Sequence, residues 1–158
     1  MIFVSVGTIP FPFIRMNTLV EAFIQQREDK ELIIYQCGST PCIIQAKNVH
    51  LFSSIPFGQV QKYIKESRIV VCHGGPATIF QVLQAGKIPY VFPRVKRFGE
   101  HVNDHQKHFA NFLEKKRMMY RITFPLKLKK MEPHNIKPKY SSDVDRLICH
   151  LEALRTNS

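Results

Sequence analysis

The chain has 158 residues, 44% hydrophobic and 22% charged, enough for one compact domain and too few for two full ones. That composition excludes a disordered tail, a collagen-like fibre and a disulfide scaffold, and no apolar stretch approaches the roughly 20 residues that a spanning helix needs. The 23 Lys and Arg against 12 Asp and Glu give a net charge of +11, a field that favours nucleic acid, an anionic membrane face or phosphorylated ligands.

Ile2 to Val6 is a near-continuous apolar run, the pattern of a strand buried on both faces. Gly7-Thr8-Ile9-Pro10-Phe11-Pro12 breaks it, and Phe13, Ile14, Leu19, Val20, Phe23 and Ile24 then recur at helical spacing. Leu32 to Tyr35 predicts a second strand and Val49 to Phe52 a shorter third. Val60, Tyr63 and Ile64 mark a short amphipathic helix. Ile69 to Cys72 predicts a strong central strand, followed by the turn His73-Gly74-Gly75-Pro76 and a helix from Ala77 to Ala85 that Gly86 ends. Pro89 to Phe92 is another buried strand, stopped by Pro93. A polar loop from Arg94 to Asn103 leads to a helix over about Asp104 to Lys116 and a last short strand over Met118 to Ile122.

Residues 123–140 contain Pro125, Pro133 and Pro138 with little periodicity and predict an exposed basic loop. From Lys115 to Lys139 nine cations face Glu132 alone, so +8 of the +11 lies in this late segment. Ser142 then caps a final helix over 142–155, with Val144, Leu147, Ile148, Leu151 and Leu154 as its apolar stripe. No internal repeat and no second domain is visible, so residues 1–158 read as a single domain. The opening strand lacks the tripartite start of a secretory signal. With Cys37, Cys42, Cys72 and Cys149 in or near apolar runs, it predicts a cytoplasmic protein with reduced thiols.

Wholly apolar strands alternating with helices predict an α/β fold, a parallel sheet covered on both faces, with ligands at the carboxyl ends of the strands. The loops beginning at Gly7, His73 and Arg94 are therefore the ones to inspect. At His73-Gly74-Gly75-Pro76-Ala77-Thr78, glycines permit positive φ and close approach to a ligand. The free amides of the first helical turn favour an anion, and Thr78 adds a hydroxyl. Gly7-Thr8 is a weaker version, and two such turns suit a diphosphate. The same residues also read as a plain strand-to-helix turn. Neither G-x-G-x-x-G nor a P-loop motif is present.

His73-Gly74-Gly75-Pro76-Ala77-Thr78-Ile79, Gly86-Lys87-Ile88-Pro89, Val91-Phe92-Pro93-Arg94 and Gly99-Glu100-His101-Val102-Asn103-Asp104-His105-Gln106 together resemble the C-terminal domain of glycosyltransferase family 28 over about residues 1–122. The opening Ile2 to Thr8 resembles it too. The similarity is closest to single-domain members: the soluble subunit of the two-part UDP-GlcNAc transferase of N-glycan assembly and its bacterial relatives in exopolysaccharide and capsule synthesis. The resemblance implies a Rossmann-like domain, the donor-binding C-terminal half of a GT-B enzyme. Gly7, Thr8, His73, Gly74, Gly75, Pro76, Ala77 and Thr78 would hold the donor diphosphate. Phe57 matches the position that meets the nucleobase, and reads equally as a core or staple aromatic. Gln81 stands where many relatives have a ribose-binding Glu, and Ala77 replaces a glycine common in the family.

For the sugar, the resemblance implies Gln106 with His105 and Asp104 beside it. Arg94 would neutralise a phosphate or pair with Glu100. Glu100, His101 and Asp104 are the candidates in this chain for the base, which by resemblance may belong to the other half. His101, His105 and His108 at i, i+4 and i+7 could present a metal face. GT-B transferases work without metal, however, and no metal or cofactor is expected. The implied activity is inverting transfer from a UDP-sugar to a polyprenyl-diphosphate-linked saccharide, needing a membrane-anchored acceptor-binding subunit. The domain would sit peripherally on the cytoplasmic membrane face, with the basic segment near anionic inner-leaflet lipid. Two other readings stand beside it. One is a regulatory subunit that keeps the nucleotide pocket. The other is a nucleic-acid-binding module, which lacks interleaved aromatics and a recognition motif.

Overall fold

The computed structural model describes residues 1–26, 31–123 and 131–134. Each apolar run becomes a strand: β1 (Ile2–Ser5), β2 (Ile33–Gln36), β3 (Val49–Phe52), β4 (Ile69–His73), β5 (Tyr90–Phe92) and β6 (Tyr120–Arg121). They form one sheet in the order β3-β2-β1-β4-β5-β6, with all neighbouring strands parallel. The helices between them are α1 (Ile14–Gln26), α2 (Phe57–Glu66), α3 (Pro76–Gln84) and α4 (His105–Lys115), with a 3-10 turn over Lys96–Phe98. This is a doubly wound α/β domain. Its strand order reverses between β1 and β4, the place where sheets of this kind bind ligands beyond the carboxyl ends of the strands.

Alternation along each strand divides the core. Ile2, Val4, Ile33, Tyr35, Ile69 and Val71 face Phe13, Met16, Leu19, Val20 and Phe23, all buried. That apolar stripe holds α1 on the sheet, each side chain contributing about 1.5–3 kcal/mol by burial. On the other face Phe3, Ile34 and Val70 pack against Ile64 of α2 and Val82 of α3. Cys72 and Val91 meet Ile79 and Leu83 of α3 with Ala110 and Leu113 of α4. Lys87 closes α2: its ammonium donates to the carbonyls of Ile64 (2.8 Å), Lys65 (2.5 Å) and Ser67 (2.5 Å), and burial lowers its pKa. Cys37, Cys42 and Cys72 are free thiols, and burial pushes Cys72 up to about 12.

Within the stretch expected as an exposed loop over 123–140, Glu132 and Pro133 are exposed, but Met131 is not. Met131 is buried in the α1-side core, and Tyr90 donates its hydroxyl to the Glu132 carbonyl at 3.1 Å while accepting from the Glu132 amide. The rest of the basic loop, Cys149 and the expected helix 142–155 lie outside the described residues. Among the described residues no helix is long and apolar enough to cross a membrane.

Candidate functional site

The candidate site is built from the loops that leave β1, β2 and β4. Ser5 donates its hydroxyl to Gln36 Oε1 at 2.7 Å and accepts the Gly7 amide at 3.2 Å, which fixes the turn as β1 ends. Gly7 has φ +74°, a left-handed backbone that a side chain would strain, and Gly38 (φ +58°) packs on its carbonyl. His73, the last residue of β4, lays its imidazole between the two glycine turns. A Cβ on Gly7 would meet the ring at 2.6 Å, and one on Gly75 would fall well inside contact distance of Nε2.

The glycines of the second turn therefore serve a purpose other than the expected positive φ. Gly75 has φ −74°, and neither it nor Gly74 is left-handed. Gly75 is glycine because the His73 ring occupies the space of a side chain. Gly74 is glycine because Gln106 Cβ and Pro93 Cβ would lie 3.0 and 3.3 Å from a Cβ there. Ala77 lies inside α3, where no left-handed backbone is required, so its replacement of a family glycine costs the turn nothing. Pro76 opens the helix at a position that needs no N–H, and Gly75 has no side chain to cap it. The amides of Ala77 and Thr78 lie in the first turn of α3, at the positive end of the helix dipole, where no carbonyl of the helix accepts them.

His73 is held neutral. Burial first, then the Arg94 charge and a smaller one from His101, lower its pKa to about 4, against a pull upward from the Ser5 carbonyl. Its Nδ1 has no hydrogen-bond partner among the described residues.

Arg94 and Glu100 do not form the pair the sequence allowed. Arg94 is wholly buried. Its Nη1 donates to the carbonyls of Phe11 (2.6 Å) and Glu100 (3.1 Å), its Nη2 to that of Val6 (2.8 Å), and the guanidinium lies 4.8 Å from the Phe13 ring centre. It ties the loop after β1 to the loop after β5. Burial lowers its pKa to about 10, which leaves it charged at neutral pH. The Glu100 carboxylate is also buried and is gripped by Arg15 through Nε (2.7 Å) and Nη2 (2.5 Å) and by the Val95 amide (2.9 Å). Neither side chain is open to a phosphate, a sugar or a reacting hydroxyl as placed. Sequence reading missed Arg15. The available signal was a lone cation opening an otherwise apolar helix face.

The remaining candidates divide. Asp104 precedes α4, but its carboxylate accepts the Lys96 amide at 2.8 Å instead of capping the helix. Gln106 is buried on Gly74, its Oε1 3.4 Å from the Arg94 amide. His101 is half-buried, stacked 5.9 Å from Phe11 and edge-on to His105 at 4.5 Å. Burial, then His105 and Arg94, lower its pKa, which keeps a neutral imidazole at the rim. His105 is exposed and hydrogen-bonded to Asn103. His101 lies outside α4, so the metal face that His101, His105 and His108 would make on one helix does not form. Among the described residues no three His, Cys, Asp or Glu converge. Thr8 is exposed and Thr78 half-buried. Phe57 opens α2 at 63% exposure, so it is not a core aromatic, and Gln81 is half-buried on α3.

The model of the glycosyltransferase family 28 C-terminal domain matches residues 1–132. No curated protein matches the chain. Similar solved structures include the glycosyltransferase SnogD from Streptomyces nogalater (17% identity, TM-score 0.55, 76% of this chain and 30% of that one). The glycotransferase of kitacinnamycin is 18% identical (TM-score 0.57, 92% of this chain and 34% of that one). Acinetobacter baumannii MurG is 17% identical (TM-score 0.53, 94% of this chain and 40% of that one). The chain thus spans between 30% and 40% of the length of these structures.

Proposed function

The chain belongs to glycosyltransferase family 28, as a C-terminal, sugar-nucleotide donor-binding domain, and on that premise we propose that it binds a UDP-sugar for inverting transfer to a polyprenyl-diphosphate-linked saccharide. The observation that carries the reading is the packing of Gly7, His73 and Gly75 into one unit at the strand-order reversal. This unit brings the turn after β1 beside the start of α3, where the first-turn amides of Ala77 and Thr78 would meet the donor diphosphate. Charge that develops on the departing diphosphate then meets donors already in place, which costs no reorganisation. The exposed Phe57 ring offers a stacking face for the base, and Gln81 a hydrogen-bonding group for the ribose.

Of the candidate bases in this chain, Glu100 and Asp104 have their carboxylates engaged, and His101 is the neutral imidazole at the rim. The acceptor-binding half is assigned to a membrane-anchored subunit, on the likeness to single-domain members of the family. The role in exopolysaccharide or capsule synthesis at the cytoplasmic face follows from the same family likeness.

The test is an NMR titration with UDP and several UDP-sugars, alone and with the companion membrane protein. Binding should shift the amide resonances of Gly7, Gly75, Ala77 and Thr78. An absence of binding even with the companion present would overturn the proposal. A UDP-bound complex that turns over no sugar when both halves are present would favour a regulatory subunit.

A further inference from the structure

Two imidazoles stand where α4 begins, and Asn103 touches both. Its Oδ1 accepts the His105 backbone amide at 3.2 Å, and the His105 ring meets the same oxygen through Nδ1. A backbone N–H only donates, so the end of the Asn103 side chain that it reaches is the oxygen and not the nitrogen. An amide oxygen only accepts, so His105 Nδ1 carries the hydrogen. In the neutral ring the lone pair then lies on Nε2, which has no hydrogen-bond partner among the described residues. The Asn103 backbone acts in the opposite sense on His101, donating its N–H to Nδ1 at 3.4 Å. His101 is held neutral, so its hydrogen sits on Nε2 and that nitrogen is a donor. Asn103 thus sets two neighbouring rings, edge-on at 4.5 Å, in opposite tautomers.

Packing ties the pair to the donor turn. Gln106, which follows His105, lies against Gly74 of the His73 turn, and His101 stacks on Phe11 from the loop after β1. Buried Arg94 and the Arg15 grip on Glu100 fix the loop that carries Asn103. His105 itself is exposed, open to a hydroxyl held by another subunit.

On the donor reading above, on which this rests, we propose that His105 is the general base of the transfer, with Asn103 as its positioning residue and His101 as a hydrogen-bond donor beside it. His105 Nε2 takes the proton of the acceptor hydroxyl while that oxygen bonds to the anomeric carbon. The bond from that carbon to the diphosphate oxygen breaks, and its electron pair leaves with UDP. The proton stays on the imidazolium, whose Nδ1–H still points to Asn103 Oδ1. A base whose direction and tautomer are fixed by a third group is the arrangement this chemistry needs. His101 cannot take the proton through Nε2, which already bears a hydrogen, and the carboxylates of Glu100 and Asp104 are engaged.

The first measurement needs no turnover: nitrogen-15 NMR of the imidazole rings in the full chain with UDP bound, at neutral pH. His105 should show a protonated Nδ1 and a bare Nε2, and His101 the reverse. Asn103→Ala, at an exposed position, should return His105 to the mixed tautomers of a free imidazole. A native His105 with its hydrogen on Nε2 would overturn the inference whatever the activity. The second is steady-state transfer with the companion subunit present. His105→Gln should lower kcat by about 10²–10⁴-fold with the KM for the UDP-sugar unchanged. Asn103→Asp, which keeps an acceptor oxygen, should recover activity that Asn103→Ala loses. A His105→Gln protein with unchanged kcat and raised KM would make the ring a sugar contact and sink the assignment of the base, while the donor reading stands. A native chain that takes no UDP with the companion present would refute the donor reading, and the base with it. A native pair that binds UDP and transfers no sugar would refute the base alone.

Discussion

Protonation of His73 should loosen the molecule well before its carboxylates do. The ring is buried against Gly7 and Gly75, with no partner for Nδ1 among the described residues and Arg94 near enough to repel a charge. Its pKa falls from the usual 6.5 to about 4. The native state therefore holds fewer protons than the unfolded chain between those values, and stability drops as pH falls through that window. Stability from this group is fully present above pH 6.5, and its loss by pH 4 amounts to on the order of 3 kcal/mol, a slope approaching 1.4 kcal/mol per pH unit. His101, also lowered, adds in the same direction. Glu31 is raised by burial and lowered more by its bonds to Arg68 and the amino terminus, so it acts only below about pH 4.5. The assay is urea unfolding at pH 7, 6 and 5 for the native chain and His73→Asn, together with the NMR titration of the His73 Cε1 proton. The slope should flatten in the variant, and the proton should not titrate above pH 5. A His73 titrating near 6.5, or equal slopes in the two proteins, would refute the reasoning.

Gly75→Ala places a methyl inside the His73 ring and should destabilise by about 1–3 kcal/mol and weaken UDP binding. Adding His73→Ala should recover binding, and failure to recover would show that the clash is not the cause. Arg15→Met strands the buried Glu100 carboxylate and should lower unfolding stability by about 3 kcal/mol, less than for a fully buried pair because Arg15 is partly exposed. Arg15→Met/Glu100→Gln should restore most of it, read by the same urea curves. Phe57→Ala, at an exposed position, should leave the melting temperature unchanged and weaken UDP by about tenfold, measured by calorimetry. Unchanged affinity would remove the ring from the nucleobase site.

The elements of the fold could be read from one dimension. Ile2 to Ser5 and Ile69 to His73 are uninterrupted apolar runs because a parallel strand is covered on both faces. The spacing of Phe13, Leu19, Val20 and Phe23 gives the buried face of α1, although Ile14, counted with them, is exposed and Met16, not counted, is buried. Such periodicities are local, so the chain itself carries them. The glycine pair before Pro76 likewise marked the turn, and the string from Gly99 to Gln106 marked the family.

Which group does what there was settled only when distant segments met. Gly74 and Gly75 looked like residues chosen for backbone freedom, yet the reason for Gly74 is the volume taken by Gln106, 32 positions later, and for Gly75 that of the neighbouring His73 ring. Arg94 was expected to neutralise a phosphate or pair with Glu100 and is instead the buried tie between the loops after β1 and β5. Glu100 found Arg15, 85 residues away, a partner no spacing rule could indicate. Secondary structure follows from side chains a few residues apart, whereas burial, charge pairing and the protonation state of His73 depend on what folding brings alongside. Those contacts have no period to read.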